Sequence, residues 1–203
     1  MKFTPRSETT RQFIIETTAG IFNKKGYAGT SLSDLTEATR LTKGSIYGNF
    51  ENKDDVALAV FNFNAERRAN IIQERLGKAA SHRDKLLAFI DLFSSAEIHV
   101  FPEGGCPLLN AGTEADDTHE PLRQRVAEEL LETQRELAAL IQQGITAREF
   151  RAEADPEQVA TTILALIQGG IFIARTTRKP LHLDAVLETA RKLVREIDTT
   201  TSP

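Results

Sequence analysis

The strongest constraint on this chain is one long stripe of side chains. Leu122, Val126, Leu130, Thr133, Leu137, Ile141 and Ile145 recur in steps of three and four, which places them on one face of an α-helix for roughly seven turns. A half-buried strand needs alternation at every second residue, and such alternation is scarce along the chain. Stripes of the helical period recur at Ile14, Ile15, Thr18, Ile21 and Phe22, at Val56, Val60, Phe63 and Ile71, and at Leu86, Leu87, Ile90 and Phe93. Another runs through Val159, Ile163, Leu166 and Ile167. Glycine and proline fall between these runs. The expected fold class is all-α, with about nine helices. They are placed at 7–25, 33–39, 43–50, 53–77 and 82–99, then after Pro107, after Pro121, at 156–177 and at 183–197. Proline suits a first helical position because the amide there has no helical partner.

Composition removes several function classes. One cysteine in 203 residues excludes a disulfide framework and a cysteine-rich zinc site. His82, His99, His119 and His182 are scattered, with no metal-ligand spacing such as HExxH. No Gly-x-Ser-x-Gly, P-loop or Rossmann fingerprint is present. No catalytic residue, metal or cofactor is therefore expected. Glu114, Asp116, Asp117 and Glu120 form an acidic cluster, read as a solvated helix end. With no apolar run of about 18 residues and no signal-like start in MKFTPRSETTR, the expectation is a cytoplasmic protein without a membrane partner.

A net charge of -4 argues, taken in bulk, against a nucleic-acid partner. The charge is unevenly placed. Residues 1–53 hold eight basic and five acidic residues, a net +3, and the remaining 17 basic and 24 acidic residues leave 54–203 at -7. The division at Lys53 coincides with a pattern of two short helices, 33–39 and 43–50, joined by about three residues. That is the layout of a helix-turn-helix, whose second helix enters the major groove. Ser31 and Thr42 fit the two N-cap positions. Thr42, Lys43, Gly44, Ser45, Tyr47, Gly48 and Asn49 are small, polar or cationic, while Ile46 and Phe50 can face a core. Gly44 and Ser45 allow close backbone approach, Asn49 can bond a base edge, and Tyr47 and Lys53 can reach phosphate. By pattern alone, a small helical subdomain with a solvated face fits equally well.

The longer string GYAGTSLSDLTEATRLTKGSIYGNFENKDD narrows this. It resembles the N-terminal signature of TetR-family transcriptional regulators. The matching positions are Tyr27 after Gly26, Thr30-Ser31-Leu32, Leu35, Ala38, Leu41, Lys43-Gly44-Ser45-Ile46-Tyr47, Phe50 and Lys53. Two departures stand out: Thr39-Arg40 in the turn, and Gly48-Asn49 before Phe50. The resemblance implies a DNA-binding head at 1–53, contacting DNA through Ser31, Ser33, Thr42, Lys43, Gly44, Ser45, Tyr47, Gly48, Asn49 and Lys53. It implies a ligand-binding and dimerisation body at 54–203. The expected function is a sequence-specific regulator, a repressor released from a near-palindromic double-stranded operator by a small-molecule inducer. Two readings stand beside it: a redox- or electrophile-sensing repressor acting through Cys106, and a non-catalytic helical adaptor.

Helix 156–177 is apolar on most of its circumference, as in helices buried on several faces. That fits either a core helix or a homodimer surface, and the resemblance favours the dimer. Ile163, Ile167, Gly170 and Ile171, with Ala190 and Val194 of the last helix, are the expected interface. Half-sites would then lie roughly 34 to 36 Å apart. The candidate inducer pocket draws on Phe63, Phe89, Phe93, His99, Phe101, Cys106, Asn110, Gln134 and Phe172, each of which also fits ordinary core or surface. Cys106 sits at a helix N-terminus after two glycines. Such a place favours thiolate, and it also fits a small half-buried structural residue.

Overall fold

The computed structural model describes residues 6–101 and 103–199. They form nine α-helices, with no named β-strand among the described residues: α1 (Arg6–Gly29), α2 (Leu32–Thr39), α3 (Lys43–Tyr47), α4 (Lys53–Leu76), α5 (His82–Asp91), α6 (Pro107–Ala115), α7 (Glu120–Thr146), α8 (Pro156–Thr177) and α9 (Leu181–Ile197). The all-α expectation holds. The chain groups into two compact units, Met1–Arg68 with Pro102–Ala127, and Ala69–Phe101 with Glu128–Pro203. The first unit therefore takes in more than the expected 1–53 head, because residues from α6 and the start of α7 pack into it.

Local signals place the helix ends. Ser31 caps α2 in a full capping box with Asp34, Thr42 caps α3 through the Ser45 amide, and Asp155 caps α8 through the amides of Glu157 and Gln158. Each side-chain oxygen satisfies a first-turn amide with no helical partner. Gly26 interrupts α1 with φ 74° and ψ 178°, a conformation open in practice only to glycine.

Helix α5 is shorter than the expected 82–99. It ends at Asp91 and is followed by turns and a short 3-10 segment, Ile98–Val100. The chain leaves the helix where Ser95 finds a better partner: its amide and hydroxyl both donate to the Asp184 carboxylate of α9, at 2.9 and 2.6 Å.

The core of the first unit gathers Ile14, Ala19, Phe22, Leu35, Ile46, Phe50, Val56 and Val60, with Phe63 packed against it. In the second unit, α8 packs along α9 and α5 also meets α9. Buried there are Phe89, Phe93, Ile163, Ile167, Ile171, Leu187, Ala190 and Val194. The segment after α9 is tied down by backbone bonds, Arg151 N–H to Ile197 O at 2.8 Å and Thr199 N–H to Glu149 O at 3.0 Å. By length and composition α8 would also suit a bilayer, a feature the sequence pattern did not bring out. Its buried side against α9 accounts for part of that apolarity within the fold.

Candidate nucleic-acid interface

Helix α3 is only five residues long, too short to be stable by itself. Two buried anchors seat it: Ile46 is fully buried and Phe50, just past its end, is 3% exposed. The opposite side is left to solvent, with Thr42, Lys43, Gly44 and Gly48 exposed and Ser45, Tyr47 and Asn49 half-buried. The Lys43 ammonium lies 5.9 Å from the centre of the Tyr47 ring. A Cβ built on Gly44 would meet only Thr42 Oγ1, at 3.9 Å, so no atom of the chain requires glycine there. What its missing side chain keeps open is the outer surface.

Three expected contact residues are engaged within the chain, Thr42 as the cap of α3 and two more. The Asn49 amide donates to Ser45 O at 2.8 Å, which turns this side chain back along its own helix. The Ser31 hydroxyl donates to Asp34 and accepts from its amide, completing the cap. Asp34 also pairs with Lys25 at 2.6 Å. The Lys25 bond first, then those from Ser31, hold the Asp34 carboxyl well below the usual carboxylate range. Ser33 is exposed on α2.

Ion pairing removes part of the basic excess counted in 1–53. Arg11 pairs with Asp55, Lys24 with Glu103 and Lys25 with Asp34. Arg40, Lys43 and Lys53 have no carboxylate partner among the described residues. Arg40 takes the left-handed conformation at the end of α2, φ 58°, which turns the chain into α3. Lys53 opens α4 with its ammonium over the Tyr27 ring at 4.4 Å.

The segment between α1 and α2 is held from α6. Glu114 accepts the Tyr27 amide at 2.6 Å and the Ala28 amide at 2.7 Å. The acidic cluster read as a solvated end thus contains a residue with a defined structural role. No sequence signal pointed to it, since the partners are 86 and 87 residues away. Tyr27 donates its hydroxyl to Asp54, and that bond, followed by burial, pushes the phenol up to about 12. His119, 7% exposed, accepts the Leu122 amide at Nδ1 and places Nε2 3.6 Å from the Asp54 carboxylate.

The expected pocket residues are divided between the two units. Phe63, Cys106 and Asn110 fall in the first unit, and Phe89, Phe93, His99, Phe101, Gln134 and Phe172 in the second. Asn110 donates to Asn23 O and Gly104 O, each at 3.0 Å, and so braces a loop. Cys106 is 6% exposed; the two preceding glycines do not leave the thiol open. Phe89 meets Phe93 edge-on and Phe93 stacks on Phe101 at 5.0 Å. His99 is exposed, and Gln134 bonds Thr161 at 2.7 Å. Phe172 is 56% exposed and lines no interior site. The Gln168 amide is buried, with neither of its atoms hydrogen-bonded among the described residues.

The expected dimer residues lie on the inner sides of their helices. Ile163, Ile167, Gly170, Ile171, Ala190 and Val194 are all buried inside the chain itself. Gly170 shows why: a Cβ there would come within 2.9 Å of Leu183 of α9. The faces that α8 and α9 leave exposed instead carry Ala165, Gly169, Phe172, Ile173, Leu181 and Ala185.

Comparison with known proteins agrees with this geometry. Residues 14–60 match the family described as bacterial regulatory proteins, tetR family, and residues 83–190 match the tetracyclin repressor-like C-terminal domain. A TetR-family transcriptional regulator from Cytophaga hutchinsonii is 44% identical, superposes with a TM-score of 0.95, and is covered over 98% of this chain and 100% of its own. A TetR regulator from Chloroflexus aurantiacus is 34% identical with a TM-score of 0.89, over 95% of this chain and 98% of its own. An uncharacterised HTH-type regulator of Bacillus subtilis, YxaF, is 25% identical over 92% of this chain and 95% of its own. With a matching DNA-binding region, a matching C-terminal domain and near-complete superposition, the chain belongs to the TetR family of bacterial transcriptional regulators.

Proposed function

We propose that the protein is a cytoplasmic homodimeric repressor that reads a near-palindromic operator with α3 and leaves it when a small molecule binds the body. The observation that carries the reading is the outer face of α3. It is a short, exposed, cationic surface, kept low by Gly44 and seated by Ile46 and Phe50. Lys43 and Thr42 at the helix start are the proposed groove contacts, with Tyr47, Ser33 and the α4 start at Lys53 addressing phosphate. Asn49 contributes through the shape of the helix end, since its side chain is bonded to Ser45.

The exposed faces of α8 and α9 supply the dimer surface in this reading, and two α3 helices then address symmetric half-sites. In the body, the stacked Phe93–Phe101 pair suits an aromatic inducer. Separately, the buried Gln168 amide, unbonded among the described residues, is a candidate donor and acceptor for a ligand in the body. Burial of Cys106 disfavours the thiol-sensing alternative.

Selection of bound duplexes from a random pool tests the reading. A palindrome should be enriched, and enrichment of no sequence would leave the adaptor as the better account. Against the enriched duplex, Lys53→Ala should lower the slope of log K against log salt by about 0.9, the value of one lost phosphate contact. An unchanged slope removes Lys53 from the phosphate contacts.

A further inference from the structure

A helix of five residues reads bases only if both of its ends are fixed, and its own hydrogen bonds do not supply that. The start is capped by Thr42. The end is gripped from α1. Arg11 Nη1 donates to the Asn49 carbonyl at 2.6 Å, the same guanidinium bonds both oxygens of Asp55 at 3.2 and 3.5 Å, and its centre lies 4.0 Å from the Phe50 ring centroid. Asp55 in turn accepts the Glu51 amide at 3.2 Å, and its own amide donates to Asn52 at 2.9 Å. One side chain thus ties α1 to the last carbonyl past α3, to the ring that anchors it, and to the first turn of α4. Only a planar fork with several fixed donors makes these contacts together; an ammonium on a flexible stem cannot. The partners are 38 and 44 residues away in sequence, so the role shows only in the fold.

Resting on the DNA-binding reading above, we propose that Arg11 is the positioning residue of the recognition helix. It sets sequence discrimination by orienting α3 and does not itself neutralise phosphate. Its charge is paired with Asp55.

The test compares full-length parent, Arg11→Met, Asp55→Asn and the double variant on the selected operator and on a non-specific duplex, each across a salt series. Loss of bonds to a charged donor should weaken operator binding about tenfold in Arg11→Met, with non-specific affinity and the salt slope unchanged. The double variant should be no worse than Arg11→Met, because both substitutions open the same tether. Equal losses on both duplexes with a slope lower by about 0.9 would make Arg11 a phosphate contact and overturn the proposal. Undiminished operator discrimination, or additive losses in the double variant, would overturn it as well. Should Arg11→Met lose its helical signal, Arg11→Lys carries the test. It keeps the charge but not the fork, and parental discrimination there would be the overturning result. A parent that enriches no duplex defeats the DNA-binding reading itself, whereas an enriched operator bound equally by parent and variants defeats only the role of Arg11.

Discussion

Replacing Phe172 by glutamate is expected to yield a folded monomer whose operator affinity falls by about a hundredfold. Phe172 is 56% exposed, and beside it on the outer faces of α8 and α9 are Ile173 at 42% and Leu181 at 77%. Gly169 lies one turn before, and a Cβ added there would meet nothing within 4 Å. The intrachain core runs along the other side of α8, through Ile163, Ile167 and Ile171. A charge at 172 therefore spares the fold. In a two-fold interface the same substitution appears twice, so two carboxylates would have to be desolvated together. Each recognition helix would then bind its half-site alone, without the gain in effective concentration from its twin. Light scattering at micromolar concentration, with operator binding by anisotropy, checks this. A Phe172→Glu protein that stays dimeric would show that the chains associate through another face.

Gly26→Ala is expected to destabilise the protein by about 3 kcal/mol, combining backbone strain with loss of a charged hydrogen-bond pair. At φ 74° and ψ 178° a side chain is strained whatever the space around it. Here the space is also taken: the new Cβ would stand 2.4 Å from Glu114 Oε2. Glu114 would have to move, and the Tyr27 and Ala28 amides would lose the carboxylate they donate to. The turn that leads from α1 into α2 would lose its brace, so operator binding should weaken as well. Gly20→Ala is the matched control. Gly20 lies within α1, and a Cβ there meets nothing within 4 Å, so alanine should add about 0.5 to 1 kcal/mol through its helix propensity. Urea unfolding of both variants reads the difference. Equal stabilities would sink the account given for Gly26.

Local chemistry made much of the fold legible. Ser31, Thr42 and Asp155 cap helices because a short polar side chain can reach a first-turn amide within three residues. Pro107 and Pro156 begin helices as proline does. The end of α5 was not legible, because Asp184, which draws Ser95 out of the helix, lies 89 residues on. The candidate DNA surface was legible as a segment, through Lys43, Gly44 and the buried pair Ile46 and Phe50. The use of each residue was not: Asn49 and Ser31 are occupied by bonds to their own helices.

What the sequence determined by itself, then, is whatever operates over a turn or two of helix: helix positions, caps, the helix-turn-helix and the family signature. Tertiary structure decided which face of α8 is core and which is open, since that helix is apolar nearly all round and period alone cannot choose a side. It also decided which basic residues remain available to DNA. Arg11, Lys24 and Lys25 are bound to carboxylates, while Arg40, Lys43 and Lys53 have no such partner among the described residues. Net charge is a sum over the chain, but a polyanion meets only the charges that folding leaves unpaired, and pairing depends on distances that folding alone creates.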